Sequence, residues 1–163
     1  MIEKKYIHGM RKSYQEYATI RRDVIVHAGD ALHLAKRAIF AMHRGDLKEA
    51  ETKMNDAKQM CIALQKKYKK TPVFVEEGSY KAALEEYVEA RLLHQFITKG
   101  VIKKISDITI SSDVYLAGLC DVPGELYRYA IGAAAKRDVQ MVEQCTAMGN
   151  EIVGELIEFN FTK

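Results

Sequence analysis

Four carboxylates occupy positions that helical periodicity would gather onto two shared faces: Glu86 and Glu89 in LEEYVEARLLHQF, and Asp121 and Glu125 in YLAGLCDVPGELYRYA. Both segments read as amphipathic helices, so steps of three and four place each pair on one face, directed as the apolar residues are directed. Carboxylates on a core-facing stripe are costly to bury unless a positive partner meets them, and a divalent cation is one such partner. Two helices that each offer two acids can hold one or two Mg²⁺ or Mn²⁺ ions, hard cations that prefer oxygen ligands and retain waters. Water activated at such a site is suited to attack on phosphodiesters. The plainer alternative is that EYVEA-type pairs are common on solvated helix faces, and spacing alone does not separate the two.

On the later segment Gly118, Asp121, Glu125, Arg128 and Gly132 follow one another at alternating steps of three and four and form a stripe. Glycines at both ends leave room for another backbone or a ligand. Pro123, between the two acids, removes a hydrogen bond to the Leu119 carbonyl and predicts a kink that re-aims Asp121 relative to Glu125. On the earlier segment Glu86 and Glu89 share a face with Ala82, Leu93 and Phe96, whereas Glu85 lies about 100° around the helix and is expected to be solvated. A rival metal site is His27, Asp30 and His33, successive neighbours one helical turn apart. The Glu-x-x-His pairs of di-iron bundles are missing, so these residues read as polar-face or subunit-contact positions.

Helical periodicity covers almost the whole chain. From Leu47 the apolar positions run Ala50, Met54, Ala57, Cys61, Leu64 and Tyr68, a narrow bundle-type seam. Gly45, Asp46 and Glu49 predict a helix stop, an N-cap and a capping box just before it. The preceding helix follows Ile20, Val24, Ala28, Ala31, Ala35, Ala38 and Met42 and is expected to begin near residue 10. A third should start at Gly78 and Ser79 and stop near Gly100, a fourth should run from about Asp113 past Pro123 to about Lys136, and the last from Asp138 to near Phe159. VIKKISDITISS, between the third and fourth, has the β-branched character of an ordered loop or short strand. The expected architecture is all-α, one domain over residues 1–163, a bundle of five to six antiparallel helices. Small residues on the seams (Ala28, Ala31, Ala35, Ala38, Gly118, Gly132) permit close helix contacts, within the chain or between subunits.

At 163 residues the chain can bury a core without disulfides or structural metal. Its three cysteines, Cys61, Cys120 and Cys145, have no CxxC spacing and are expected to be buried, reduced and inert. The first residues lack a signal-peptide apolar stretch, and no run approaches the roughly 18 apolar residues of a membrane span, so a cytoplasmic location and no membrane partner are expected. The net charge of +3 is small, but basic residues concentrate early, as Lys4, Lys5, Arg11, Lys12, Arg21, Arg22, Lys36, Arg37 and Arg44. A second run is Lys66, Lys67, Lys69 and Lys70. These are either solvated helix faces or the footprint of an anionic polymer.

The acidic segments resemble motifs of the translin family, and within it the branch of translin-associated factor X, of the forms QEYVEAxxFQHFI and DYLxGxxDLTGELMR. Here they stand as LEEYVEARLLHQFI and DVYLAGLCDVPGELYR, and GDALHLAKRAIFAMHR is similar to the family's RDITVESKRTIFLLHR; together the matches span roughly residues 28–137. The resemblance implies an all-helical subunit of a homo-oligomer that binds RNA, with single-stranded DNA as a second candidate. In this branch it implies a Mg²⁺- or Mn²⁺-dependent endoribonuclease acting on single-stranded or loosely structured RNA. The catalytic acids then fall on Glu86, Glu89 and Asp121, and the metal ligands on these three with Glu125, which either ligates the ion itself or hydrogen-bonds the groups that do. Non-catalytic translin, the alternative, lacks the acids at the positions of Glu89 and Asp121. Lys36, Arg37 and Arg44, with Arg21 and Arg22, are the expected phosphate contacts. Three departures stand out: Pro123 replaces a usual Thr, Gly29 replaces a basic residue, and EFNFTK comes where family members continue into a further helix, which leaves subunit number open.

Overall fold

The computed structural model describes residues 2–69, 71, 74 and 77–159. Among these the chain forms five long helices: α1 (Lys4–Arg44), α2 (Leu47–Tyr68), α3 (Gly78–Lys99), α4 (Ser112–Ala135) and α5 (Val139–Glu158). One apolar cluster draws residues from all five. None of the helices is long and apolar enough to cross a membrane.

α1 is the axis of the bundle. Its seam is nearly all alanine: Ala28, Ala31, Ala35 and Ala38 have no exposed surface, and Val24 and Met42 are equally enclosed. Small side chains let two neighbours approach closely, and α2 and α3 both pack along this stretch. The alanine seam is therefore used within the chain. The helix begins at Lys4, earlier than the expected start near residue 10, because nothing before Gly9 breaks it; Glu3 stands at the N-cap without a side-chain cap. Residues 4–17 are exposed throughout, so about 20 Å of helix projects beyond the core with Tyr6, Ile7, Met10, Tyr14 and Tyr17 uncovered.

Gly45 ends α1 in the left-handed conformation (φ 83°), its N–H on the Ala41 and Met42 carbonyls. Asp46 then caps α2, its carboxylate accepting from the Glu49 N–H at 2.9 Å. The return half of the capping box does not form. The Glu49 side chain takes Arg44 at 2.7 Å, and the Asp46 N–H is already bonded to the Ala41 carbonyl. The two-residue turn folds α2 back along α1 and buries the seam from Ala50 to Tyr68, with Leu47 half-buried.

α3 ends at Gly100 (φ 66°), whose N–H reaches the Phe96 carbonyl at 2.7 Å. The connection to α4 contains no strand. Ile105 and Ile108 anchor it in the core, while Lys58 on Asp107 (3.0 Å) and Gln65 on the Thr109 carbonyl (2.7 Å) hold its polar side, so its β-branched residues serve as plugs. α4 runs continuously through Pro123. α5, capped by Asp138 on the Met141 N–H (3.0 Å), packs chiefly on α4 and buries only Cys145 and Ile152.

α3 and α4 meet at Gly118. A Cβ there would stand 2.7 Å from both the Glu85 carbonyl oxygen and the Val88 side chain, whereas one at Gly132 would meet nothing within 4 Å. Gly118→Ala should force the helices apart and cost about 1–3 kcal/mol in urea unfolding. Gly132→Ala should be neutral or stabilise by up to about 1 kcal/mol. Equal effects of the two would mean that the α3–α4 contact is loose.

Candidate active site

The Gly118 contact sets the register between the acidic stretches of α3 and α4, and the four acids become electrostatic neighbours. Glu89 is the only buried charged residue among the described residues, 8 % exposed. It makes no hydrogen bond or ion pair there. Burial, then the charges of Glu86, Glu125 and Asp121, push its carboxyl up to about 8, with only Lys36 opposing. Burial also raises Glu86, although Lys36 Nζ lies 3.1 Å from Glu86 Oε2 and opposes the shift.

Glu125 has the opposite balance. Its burial would raise it, but a hydrogen bond from His43 and the Arg128 guanidinium outweigh burial and hold it below the ordinary carboxylate range. His43 Nε2 sits on Glu125 Oε2, and Arg128 Nη1 donates to Oε1 at 3.1 Å. The Arg128 guanidinium also lies over the Phe40 ring, 5.3 Å from its centroid. α1 thus contributes Lys36, Phe40 and His43 as a cationic and aromatic wall facing the acids. His43 was not among the residues singled out from the sequence. The signal was present, since Lys36, Phe40 and His43 follow the same four-and-three steps that placed the acids on one face.

Three sets of residues sit differently from what their spacing implies. Asp121 is exposed, because α4 turns this position to solvent at the rim while neighbouring Val122 is fully buried. Glu85 is half-buried, since its turn of α3 lies under α4 at Gly118. The cysteines also divide: Cys61 and Cys145 are buried, with burial pushing the Cys61 thiol up to about 12, while Cys120 is exposed.

The basic residues fare unequally. Arg37 and Arg22 are exposed without an ion pair among the described residues, whereas Arg44 is held by Glu49 and Arg21 Nε by Glu77 at 3.0 Å. Lys67 is bound to Asp23 at 2.8 Å, Lys66 and Lys69 are exposed, and Lys70 lies outside the described residues. His27, Asp30 and His33 are all exposed, and His27 Nδ1 is within 2.8 Å of the Asp23 carbonyl oxygen.

The fold and site can be set beside known proteins. The family model described as Translin family matches residues 20–159. This chain belongs to the Translin family. The match takes in α2 to α5 and all of α1 that contributes to the core, so the four acids and His43 lie inside the Translin region. Solved structures agree in fold. The apo-NeC3PO crystal structure superposes with a TM-score of 0.87 at 21% identity, covering 100% of this chain and 86% of the other. The complex of AfC3PO with duplex RNA gives 0.83 at 22% identity, covering 97% and 81%. The AfC3PO crystal structure gives 0.84 at 22% identity, covering 97% and 82%. No curated protein sequence matches this chain.

A divalent cation fits the donor chemistry, with hard oxygens, one carboxylate buried without a partner and three more beside it. The side chains do not converge as ligands: no group of three His, Cys, Asp or Glu among the described residues forms a metal-ligating cluster. Lys36 draws Glu86 aside, and His43 and Arg128 hold Glu125.

The raised Glu89 carboxyl has a defined pH consequence. Between the ordinary carboxylate value of 4.5 and about 8 the folded state keeps a proton that the unfolded chain has lost, so this group makes stability fall as pH rises through that window. Glu89→Gln should remove the fall. In EDTA its unfolding free energy should exceed wild type by on the order of 1–2 kcal/mol at pH 8 and match it near pH 4. A mutant less stable than wild type at pH 8 would show that the carboxylate has a compensating partner.

Proposed function

We propose that this Translin-family chain is a Mg²⁺- or Mn²⁺-dependent endoribonuclease, of the type of translin-associated factor X, acting on RNA within a homo-oligomer. The observation that carries this reading is Glu89: a buried carboxylate with no cation of its own, grouped with Glu86, Asp121 and Glu125. A scaffold that needed only to bind RNA would gain nothing from holding four negative charges together. The similar AfC3PO fold has been solved with duplex RNA, which supports RNA as the partner class. Single-stranded or loosely structured RNA remains the proposed substrate.

Glu86, Glu89 and Asp121 would hold the metal, with Glu125 beside them, and the bound ion would supply an activated water and neutralise charge developing on the phosphoryl group. The chain's own residues set the rest. His43 and Arg128 fix both oxygens of Glu125, so this carboxylate is oriented before any ligand arrives. Lys36 is half-exposed at the edge of the acids, where its ammonium can leave Glu86 for a phosphate when a cation replaces it there. Arg37, exposed and without an ion pair among the described residues, extends the positive rim, with Arg22 farther along α1, while Arg21 and Arg44 must first exchange their carboxylate partners. The uncovered apolar residues of the projecting α1 segment, with Val139, Val153 and Ile157 on α5, support self-association.

The second reading is a translin-like RNA- or single-stranded-DNA-binding protein that does not cut. Its support is the absence of a convergent ligand cluster among the described residues. Labelled RNA incubated with and without Mn²⁺ separates the two. The expected result is cleavage by wild type and by Glu85→Gln, and a loss of at least about 100-fold in Glu89→Gln and Asp121→Asn with RNA affinity retained. Full activity in the Glu89 and Asp121 variants would refute the site, and an inactive wild type with every divalent metal would favour the binding protein.

Binding itself should be governed by salt. Arg37→Ala should flatten the slope of log affinity against log salt by about 0.7 on single strands. An unchanged slope would move the contact surface away from α1.

A further inference from the structure

Away from the acids, a pocket of about 540 Å³ opens between α2, α3 and the connection that precedes α4. None of its lining residues belongs to the acidic cluster, and the faces of α3 involved are nearly opposite: Tyr80 and Leu84 on one side, Glu86 and Glu89 on the other. The walls are apolar, with Ile62, Phe74, Leu84, Ile108 and Val114. Into this lining are set Lys66 from α2, Lys69 just past its end and Lys81 from α3. Lys66 and Lys69 have no ion pair among the described residues, and Lys81 reaches only the exposed Asp113, at 3.7 Å. Asp107, the one acid in the lining, is already neutralised by Lys58 at 3.0 Å and Arg91 at 3.9 Å.

The deciding feature is Tyr80. It lines this pocket, is 6 % exposed and packs on Phe74 with ring centroids 4.3 Å apart, yet among the described residues its hydroxyl makes no hydrogen bond of normal geometry and has only the Gln65 side chain near it. Gln65, also in the lining, gives its amide to the Thr109 carbonyl. Enclosing a hydroxyl without a well-placed partner is unfavourable, and a bound acceptor would remove that penalty.

We propose that this pocket is a binding site for a small amphiphilic organic anion, with an apolar body against Ile62, Leu84 and Val114 and a carboxylate or phosphomonoester head that accepts from Tyr80 and is neutralised by the lysines. Its size is within the range of small-molecule sites, and its combination of apolar walls with few polar groups is the usual composition of such sites. An unbranched alkyl chain satisfies the walls, and the cation excess selects a negative head over a neutral one.

The test is isothermal titration of the full chain with octanoate, octyl phosphate, 1-octanol and inorganic phosphate. Octanoate or octyl phosphate should bind at one site per chain with a Kd on the order of 10–100 µM, and the tighter of the two identifies the head group. 1-Octanol should bind at least about tenfold more weakly and inorganic phosphate not measurably, because each lacks one half of the recognition. Tyr80→Phe should weaken the anion by about tenfold. The double substitution Lys66→Ala with Lys69→Ala, confined to exposed side chains, should reduce binding to the 1-octanol level. Leu84→Trp should fill the cavity and abolish uptake in protein whose circular dichroism matches wild type. The proposal fails if wild type shows no saturable binding of either anion, or if the lysine double variant binds as wild type does.

Discussion

The contact of Gly118 with the Glu85 carbonyl and Val88 is the constraint from which the site follows. Helices normally pack with axes 8–10 Å apart, at a distance set by the side chains between them. Removing the side chain at this one position lets α4 settle onto the α3 backbone, and the carboxylates that follow on both helices are drawn into one electrostatic group. The alanine seam of α1 does the same for α2 and α3. The architecture is a set of close approaches made with the smallest residues, and larger side chains are left for the flanks and for the acids.

Close packing creates an electrostatic difficulty that the chain resolves unevenly. Glu125 receives two positive or hydrogen-bonding partners and is held ionised, Glu86 receives one lysine, Asp121 keeps solvent, and Glu89 receives nothing. One site therefore contains carboxylates driven in opposite directions, Glu89 upward and Glu125 downward. The cations that relieve Glu86 and Glu125 also keep the acids from converging. In the proposed reading a divalent ion would compete with Lys36 for the Glu86 oxygens, so that metal occupancy would free Lys36 for phosphate.

Much of the fold was legible because its signals are local. Gly45, Asp46 and Gly100 end and begin helices through backbone conformation and capping, which depend on a few adjacent residues. The acids were legible through periodicity on two helices. What was not legible required tertiary partners. Whether Ala28 to Ala38 faced another helix or another subunit, whether Asp121 was enclosed or at the rim, and whether Glu49 completed its box or turned to Arg44 all depend on groups distant in sequence or competing for the same atom. His43 escaped notice because its partner, Glu125, lies 82 residues away. Translin-family resemblance located the acidic motifs, and the structure supplied the opposing cations.

Whether the four acids hold a cation can be read from diffraction by crystals grown with Mn²⁺. The expected result is anomalous density between α3 and α4 within ligating distance of Glu89 and Asp121, with Lys36 displaced from Glu86. Crystals with no anomalous density there, and with Lys36 still on Glu86, would mean that the acids hold no cation.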